Sequence, residues 1–146
     1  MKVVVQRVKQ GSVKVDNKIE GKIGKGFVCF VGFKKGNDEK IIKKMAKKIV
    51  NLRIFEDQQG KMNHSLLTVK GELLVVSQFT LYADTEKGNR PSFFYSELPE
   101  RAFSLYNKFI EELKKYPVKV KTGIFGAKME VKIINDGPVT IILEEE

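Results

Sequence analysis

The hexapeptide SQFTLY, which begins at Ser77, interrupts an otherwise apolar run with the side chains best suited to chemistry. It carries two small aliphatic hydroxyls, on Ser77 and Thr80, and the amide of Gln78. Because an unsatisfied buried polar group costs about 1–3 kcal/mol, these side chains must either form a local network or line a site. Strand alternation would put Ser77 and Phe79 on one face and Gln78 and Thr80 on the other. A strand-end cap and a functional site are both open interpretations of the hexapeptide.

Other catalytic groups are scarce along the chain. There is one histidine, His64, and one cysteine, Cys29, so a metal site built on several His or Cys ligands is excluded. A Ser-His-Asp triad would have to use His64, which we expect in an exposed loop. Cys29 lies within GFVCFVGF and is expected to be a small buried hydrophobe. We therefore expect neither a metal nor a cofactor.

Two further segments could contribute to a site. In IINDGPVTIIL, Gly137-Pro138 breaks a run of strand-forming residues, and proline cannot donate to a sheet ladder. The pair therefore predicts a turn or an edge feature, and only about 5–6% of such bonds are cis. In TGIFGAKM, two glycines flank Phe125 and Met129 follows. Flanking glycines allow the Phe125 ring to stack on a base, although core packing is equally available.

The formal net charge is +9, and the chain contains 23 Lys and 4 Arg. Such a lysine-rich surface suits phosphate backbones better than base edges. Residues 38–51 show apolar positions at helical spacing, with lysines at 40, 43, 44, 47 and 48 on the other side. This lysine face could meet phosphates, but a solvated face is the simpler interpretation.

The remaining elements predict an α+β domain with a curved, mostly antiparallel sheet and two main helices. The N-terminal part predicts a meander of about four strands, from the runs KVVVQRV, SVKVDN, KIEGKI and GFVCFVGF. ELLVVSQFTLY predicts a central strand, Pro99 opens a second helix to about Lys115, and VKVKTG, KMEVKII and VTIILEE predict three final strands. We expect a single domain over residues 1–146, with no membrane span or signal segment, and a cytoplasmic location.

Seven motifs, taken together and in order along the chain, resemble the D-aminoacyl-tRNA deacylase family. They are QRV, NLRIFED, GKMN, VVSQFTLYAD, GNRPSF, TGIFGAKM and NDGPVT. SQFTL and NDGPVT at this separation are highly specific as a pair, although each alone is weak. The resemblance covers essentially the whole chain and implies a barrel-like, deacylase-type fold.

The resemblance also implies a homodimer whose site is shared between the two chains. A cis Gly137-Pro138 bond, held by Arg7, would reach into the partner's pocket. Phe125 and Met129 would hold the terminal adenosine at the 3′ end of an aminoacyl-tRNA. The pocket itself would be formed by Ser77, Gln78, Phe79 and Thr80.

The implied reaction is hydrolysis of the ester of D-aminoacyl-tRNA, which releases a free D-amino acid and tRNA. Main-chain carbonyls at Gly137-Pro138 would accept the α-ammonium and leave no room for an L side chain, so glycyl-tRNA should also be hydrolysed. We expect the RNA 2′-hydroxyl to assist the attacking water, with N–H groups near Phe79 and Thr80 stabilising the oxyanion. The alternative mechanism uses Thr80 as a covalent nucleophile.

Two functions of other classes stay open at the level of sequence. One is a non-catalytic RNA-binding module that uses the lysine face and an exposed Phe125. The other is a hydrolase acting outside nucleic acids, with Thr80 or Ser77 paired to His64.

Overall fold

The computed structural model describes residues 1–146 and contains eight strands, two α-helices and one 3-10 helix. The strands are β1 (Lys2–Val15), β2 (Lys18–Ile23), β3 (Gly26–Gly32), β4 (Phe55–Glu56), β5 (Met62–His64), β6 (Glu72–Ser77), β7 (Lys119–Thr122) and β8 (Glu130–Glu144). The helices are α1 (Glu39–Asn51), α2 (Pro99–Leu113) and the 3-10 helix Phe79–Tyr82. Neither α-helix has the length and apolar content needed to span a bilayer.

Six strands form one curved, barrel-like sheet. Its order is β2-β1-β3-β6-β7, and β8 also pairs with β1. The pairings of β1 with β2, β3 and β8 are antiparallel, whereas β6 is parallel to β3 and β7. The two terminal strands of this order, β2 and β7, approach each other. A Cβ on Gly21 of β2 would lie 2.7 Å from the carbonyl oxygen of Thr122 in β7. The mostly antiparallel sheet and the central position of β6 are confirmed.

The predicted four-strand meander is wrong in one respect, because β1 is a single strand of 14 residues. Gly11, which predicted a turn, lies inside β1 and pairs with Ile23 and Ile133. A Cβ at Gly11 would lie 2.7 Å from Cγ2 of Val28. The glycine therefore permits close packing inside the curved sheet rather than a reversal of the chain.

The two helices pack on one face of the sheet and complete a core of 24 buried residues. Asp38 caps α1 by accepting a hydrogen bond from the Ile41 N–H at 3.0 Å, and α2 begins at Pro99 as predicted. The buried positions of the helices recur at the predicted spacing. They are Ile42, Met45, Ala46, Ile49 and Val50 in α1, and Ala102, Leu105, Tyr106, Phe109, Ile110 and Leu113 in α2.

The lysine face of α1 is partly neutralised within the chain. Lys44 and Lys48 both bind the Glu145 carboxylate, the latter at 2.8 Å. The hydrogen bond from Lys44, followed by that from Lys48, lowers the pKa of the Glu145 carboxyl. The other lysines of this face are exposed, so a solvated face fits the observed charges better than a continuous phosphate site.

Candidate functional site

The backbone leaves the sheet immediately after Ser77, where β6 ends. Gln78 has φ −148° and ψ 80°, and Phe79–Tyr82 forms a 3-10 helix. The prediction that strand alternation continues through SQFTLY is therefore wrong. Because the chain turns at Gln78, the side chains of the hexapeptide lie around a helical turn instead of on two opposed sheet faces.

A cavity of about 310 Å³ lies beside this turn. It brings together five residues that the sequence predicted for the site. They are Ser77, Gln78, Phe79, Phe125 and Met129. Thr80 does not line the cavity, but its Oγ1 accepts a hydrogen bond from Nε2 of Gln78. The two sequence motifs SQFTL and TGIFGAKM therefore meet at one site, although 45 positions separate Thr80 from Phe125.

The cavity has no ionisable side chain in its lining. Its remaining wall is apolar or small, formed by Val31, Gly32, Phe33, Val76, Ser96, Ala102, Gly126, Ala127 and Val131. The polar groups that line it are hydroxyls and an amide, and none of these is a strong base at neutral pH. The cavity can therefore bind and orient a ligand, but it lacks a side chain that would readily accept a proton.

Sequence reasoning missed Gly32 and Ser96. A Cβ at Gly32, the last residue of β3, would lie 2.9 Å from the Gln78 carbonyl oxygen. Glycine is therefore needed there to make room for the turn that follows β6. Ser96 is buried and forms an isolated antiparallel β-bridge with Lys34, which lies 62 positions earlier in the chain. No local pattern marks either residue, because both matter only through contacts between distant segments.

Phe125 is half-buried and borders both the cavity and α2. Its ring centroid lies 5.3 Å from that of Phe103 and 5.6 Å from that of Tyr106. Gly126, with φ +76°, turns the chain immediately afterwards. The two interpretations of Phe125 are therefore compatible, since one edge of the ring packs on the helix while the residue also lines the cavity.

The segment at residues 135–140, called the Gly-Pro loop below, lies within β8 and does not reverse the chain. The expected final two strands are thus one strand, whose register against β1 shifts between Gln6 and Val8. The Gly137-Pro138 bond is cis. Both residues are exposed, and Gly137 has φ +132°, a conformation that L side chains rarely adopt.

Arg7 holds the Gly-Pro loop from beneath and is only 4% exposed. Its Nε donates to the Asp136 carbonyl at 3.0 Å, and Nη1 donates to the Ile54 carbonyl at 2.7 Å. The carboxylates of Asp136 and Glu56 lie 3.6 Å and 3.8 Å from the guanidinium. A buried cation is thus balanced by two acidic groups and tied to two separate stretches of backbone.

The Gly-Pro loop does not line the cavity of its own chain. Across the sheet, Ser77 aligns with Val31, then with Val3, and then with Leu143 of β8. Gly137 lies between the residues of β8 that pair with Gln6 and Val8, so it is about four residues of β1 from Val3, or about 13 Å along the strand. One chain therefore carries the two predicted parts of the site at separate places.

The two remaining reactive side chains lie elsewhere. His64 is half-buried in β5, where it pairs with Phe55, so its assignment to an exposed loop is wrong. It does not line the cavity. Cys29 is buried, as predicted, and burial raises the pKa of its thiol. No group of three or more His, Cys, Asp or Glu side chains is arranged to hold a metal ion.

The chain is similar over nearly its whole length to proteins of one family. The family model described as D-Tyr-tRNA(Tyr) deacylase matches residues 4–144. A D-aminoacyl-tRNA deacylase of Aquifex aeolicus is 55% identical, with 99% of this chain and 97% of the relative covered. One of Staphylococcus haemolyticus is 56% identical, with 100% and 97% covered.

Two solved structures are similar over nearly their full length. The structure described as c-Myc DNA Unwinding Element Binding Protein has a TM-score of 0.95 at 44% identity, with 100% of this chain and 99% of that chain covered. A structure described as a probable eukaryotic D-amino acid tRNA deacylase has a TM-score of 0.84 at 18% identity, with 97% of each chain covered. The second similarity bears on the fold alone.

Proposed function

The chain belongs to the D-Tyr-tRNA(Tyr) deacylase family, and from this premise we propose that it hydrolyses the ester bond of D-aminoacyl-tRNA to a free D-amino acid and tRNA. The cavity at the end of β6 carries the proposal, because it joins polar Ser77 and Gln78 to apolar Phe125 and Met129. The activity would be a proofreading step in translation quality control, and we expect it in the cytoplasm, where tRNA is charged and used.

The cavity fits the end of the substrate rather than a length of RNA. Its volume of about 310 Å³ lies at the lower end of the range for small-molecule sites. In the proposed complex the terminal adenosine lies against Phe125 and Met129. The packing of Phe125 on Phe103 and Tyr106 holds its ring in place for that contact. The aminoacyl group then lies beside Gln78, in the polar part of the cavity.

Handedness would be read by the Gly-Pro loop of a second copy of the chain. The loop is exposed and does not line the cavity of its own chain, which favours a partner's cavity over its own. Main-chain carbonyls of Gly137-Pro138 would accept the α-ammonium of the substrate. Because glycine has no Cβ, these carbonyls can come close to the ligand and exclude the side chain of an L-residue.

Arg7 would make this gauge rigid. Its guanidinium bonds the backbone on both sides, at Asp136 and at Ile54, so the loop has few alternative positions. A loop that excludes L-residues by steric clash must keep its position, since a small displacement would admit the L-substrate. The buried Arg7 thus has a proposed role in selectivity although it does not touch the substrate.

The chemical step would rely on the RNA itself. No ionisable side chain lines the cavity, which supports activation or positioning of the water by the substrate's 2′-hydroxyl. Phe79 and Thr80 begin the 3-10 helix, so their N–H groups have no acceptor within it and could stabilise an oxyanion. Thr80 is a poor nucleophile here because the partner of its hydroxyl is the amide N–H of Gln78, which cannot accept a proton.

Exclusion by clash has a consequence for the achiral substrate. Glycine carries no side chain on either side, so a steric gauge should let glycyl-tRNA be hydrolysed as well. Complete resistance of glycyl-tRNA at high enzyme concentration would show that selection uses more than steric exclusion.

The direct test compares D-tyrosyl-tRNA and L-tyrosyl-tRNA with the purified chain at catalytic concentration. Release of tyrosine from the D-ester, with the L-ester intact, is the expected result. If both esters survive while tRNA still binds, the protein is a non-catalytic RNA-binding module and the proposed function fails.

A further inference from the structure

Four aromatic side chains form a strip that leads away from the cavity, and we call Phe79, Phe93, Phe94 and Tyr95 the aromatic strip. Phe79 is 56% exposed, Phe94 69% and Tyr95 49%. The Phe79 and Phe93 rings meet edge to face at 4.9 Å, and those of Phe94 and Tyr95 at 5.4 Å. Exposed apolar surface of this extent commonly marks an interaction site.

The backbone holds the strip in place although the rings are exposed. Before the strip, Ser92 and Asp84 exchange two N–H to carbonyl hydrogen bonds of 2.8 Å. After it, the Glu97 N–H donates to the Phe33 carbonyl at 2.9 Å. Within it, the Lys35 N–H donates to the Tyr95 carbonyl at 3.1 Å. The rings therefore project from an anchored segment, which limits the entropy lost when a ligand stacks on them.

The strip is continuous with the cavity and carries positive charge at its far end. Phe79 lines the cavity and also touches Phe93, so the strip starts at the cavity mouth. At the other end, Nζ of Lys35 lies 4.3 Å from the centroid of the Phe94 ring. Lys35 is exposed and takes part in none of the chain's ion pairs, so its charge is available to a ligand.

We propose that the aromatic strip binds the unpaired nucleotides that precede the terminal adenosine of the tRNA substrate. This inference rests on the proposed function. A cavity of about 310 Å³ cannot hold more than the terminal nucleoside and its amino acid, so the preceding nucleotides must cross the surface outside it. Exposed rings of Phe94 and Tyr95 offer faces for two bases, and Lys35 offers a cation for the connecting phosphate.

The combination of rings and cation favours this occupant over a second copy of the chain. Base stacking on aromatic side chains is tolerant of sequence and suits a single strand. A lysine without an acidic partner beside an exposed ring is suited to a phosphate backbone. Lys35 has no acidic partner in its own chain, so burying its charge against an apolar or basic surface of a second copy would be unfavourable.

The test compares two substrates that differ only in RNA beyond the terminal nucleoside. The double variant Phe94→Ala/Tyr95→Ala should lower kcat/KM on D-tyrosyl-tRNA by about 10-fold or more, mainly through KM. On D-tyrosyl-adenosine, which has no preceding nucleotides, its kcat/KM should stay within about 2-fold of wild type. Lys35→Ala should act in the same direction and reduce the salt dependence of KM.

Two variants complete the experiment. Phe94→Trp keeps a stacking face and should retain activity on D-tyrosyl-tRNA. Ile19→Ala removes an exposed apolar side chain on β2, outside the strip, and should leave both substrates unchanged. Sedimentation of each variant reports whether its oligomeric state has changed.

The proposal is overturned by equal losses on both substrates, by no loss on either, or by a change of oligomeric state in the double variant. If wild-type protein hydrolyses neither substrate, the proposed function fails by itself. Binding of uncharged tRNA then decides the role of the strip. A dissociation constant raised about 10-fold in the double variant would support the strip as an RNA site, and an unchanged constant would overturn it.

Discussion

The cavity at the end of β6 and the Gly-Pro loop differ in how firmly the chain holds them. At the cavity, Gln78 makes one exposed hydrogen bond to Thr80, which lies just outside the lining, and no lining side chain is ionisable. In the loop, a buried Arg7 ties two stretches of backbone together and is balanced by two carboxylates. This difference agrees with the proposed function. In that proposal the firmly held loop excludes L-residues by steric clash, and the cavity binds a substrate whose own 2′-hydroxyl assists hydrolysis.

Removing Arg7 should have the largest effect. Arg7→Ala leaves the carbonyls of Ile54 and Asp136 without their donors and should destabilise the fold by about 3 kcal/mol, measured by urea unfolding. The remaining folded protein should hydrolyse L-tyrosyl-tRNA at least about 10-fold faster relative to the D-ester, because the loop is no longer fixed. Arg53→Ala removes an exposed arginine bound to Asn63 and serves as control. Unchanged selectivity in Arg7→Ala would show that selection against L-residues does not depend on the contact between Arg7 and the Gly-Pro loop.

Adding a methyl group at Gly137 of the Gly-Pro loop should have the next largest effect on stability and activity. Gly137→Ala forces a side chain into φ +132° and brings Cβ to 2.9 Å from the Val139 nitrogen, which should cost about 1–3 kcal/mol. The displaced loop should lower activity on D-tyrosyl-tRNA. The matched control is Gly60→Ala, which also changes a glycine with positive φ but has no atom within 4 Å of the new Cβ. If both variants lose activity equally, the loss reflects reduced folding stability and not a displaced Gly-Pro loop.

Removal of the Thr80 hydroxyl should reduce activity much less than Arg7→Ala or Gly137→Ala. Thr80→Ala removes the acceptor of the Gln78 amide and should reduce kcat by about 10-fold at most, since no base activates the hydroxyl. Ser104→Ala, an exposed hydroxyl on α2, is the control. A loss of more than about 1,000-fold with intact folding would instead identify Thr80 as the nucleophile.

The ion pairs between the buried Glu145 and two exposed lysines should give the smallest effect. The pKa of the Glu145 carboxyl lies below its ordinary value, first because of the Lys44 hydrogen bond. Its contribution is therefore complete above the pKa of the unfolded chain and is lost as pH falls through the folded value. Both lysine partners are exposed, so the contribution is about 1 kcal/mol at most. Glu145→Gln should weaken the loss of stability below about pH 5 in urea unfolding, with unchanged activity.

The sequence predicted those elements that local physics determines. Helical spacing and caps located α1 and α2, since Asp38 and Pro99 mark their starts. The apolar run before Ser77 identified a strand buried on both faces. The turn at Gln78 could not be predicted, because a strand that continues and one that ends share the same residue types. The single strand β8 was mistaken for two, since a bulge and a turn carry similar residues.

The site was predictable in composition but not in arrangement. Motif resemblance named five residues that line the cavity and also Thr80, which does not, whereas Gly32 and Ser96 matter only through contacts between distant segments. The resemblance gave the Gly-Pro loop as one partner of Arg7, but the other, the Ile54 carbonyl, lies 47 positions away and carries no side-chain signature. Long-range backbone contacts of this kind leave no local pattern in a single sequence.

The most direct test of the account mixes two variant chains. One carries Gln78→Ala in the cavity and the other carries Gly137→Val in the loop, and each alone should retain little activity on D-tyrosyl-tRNA. If the site is shared, refolding an equal mixture should restore about a quarter of wild-type activity, because about half of the dimers are mixed and each has one intact site. If cavity and loop act within one chain, the mixture will be no more active than its parents, and the shared-site account is contradicted.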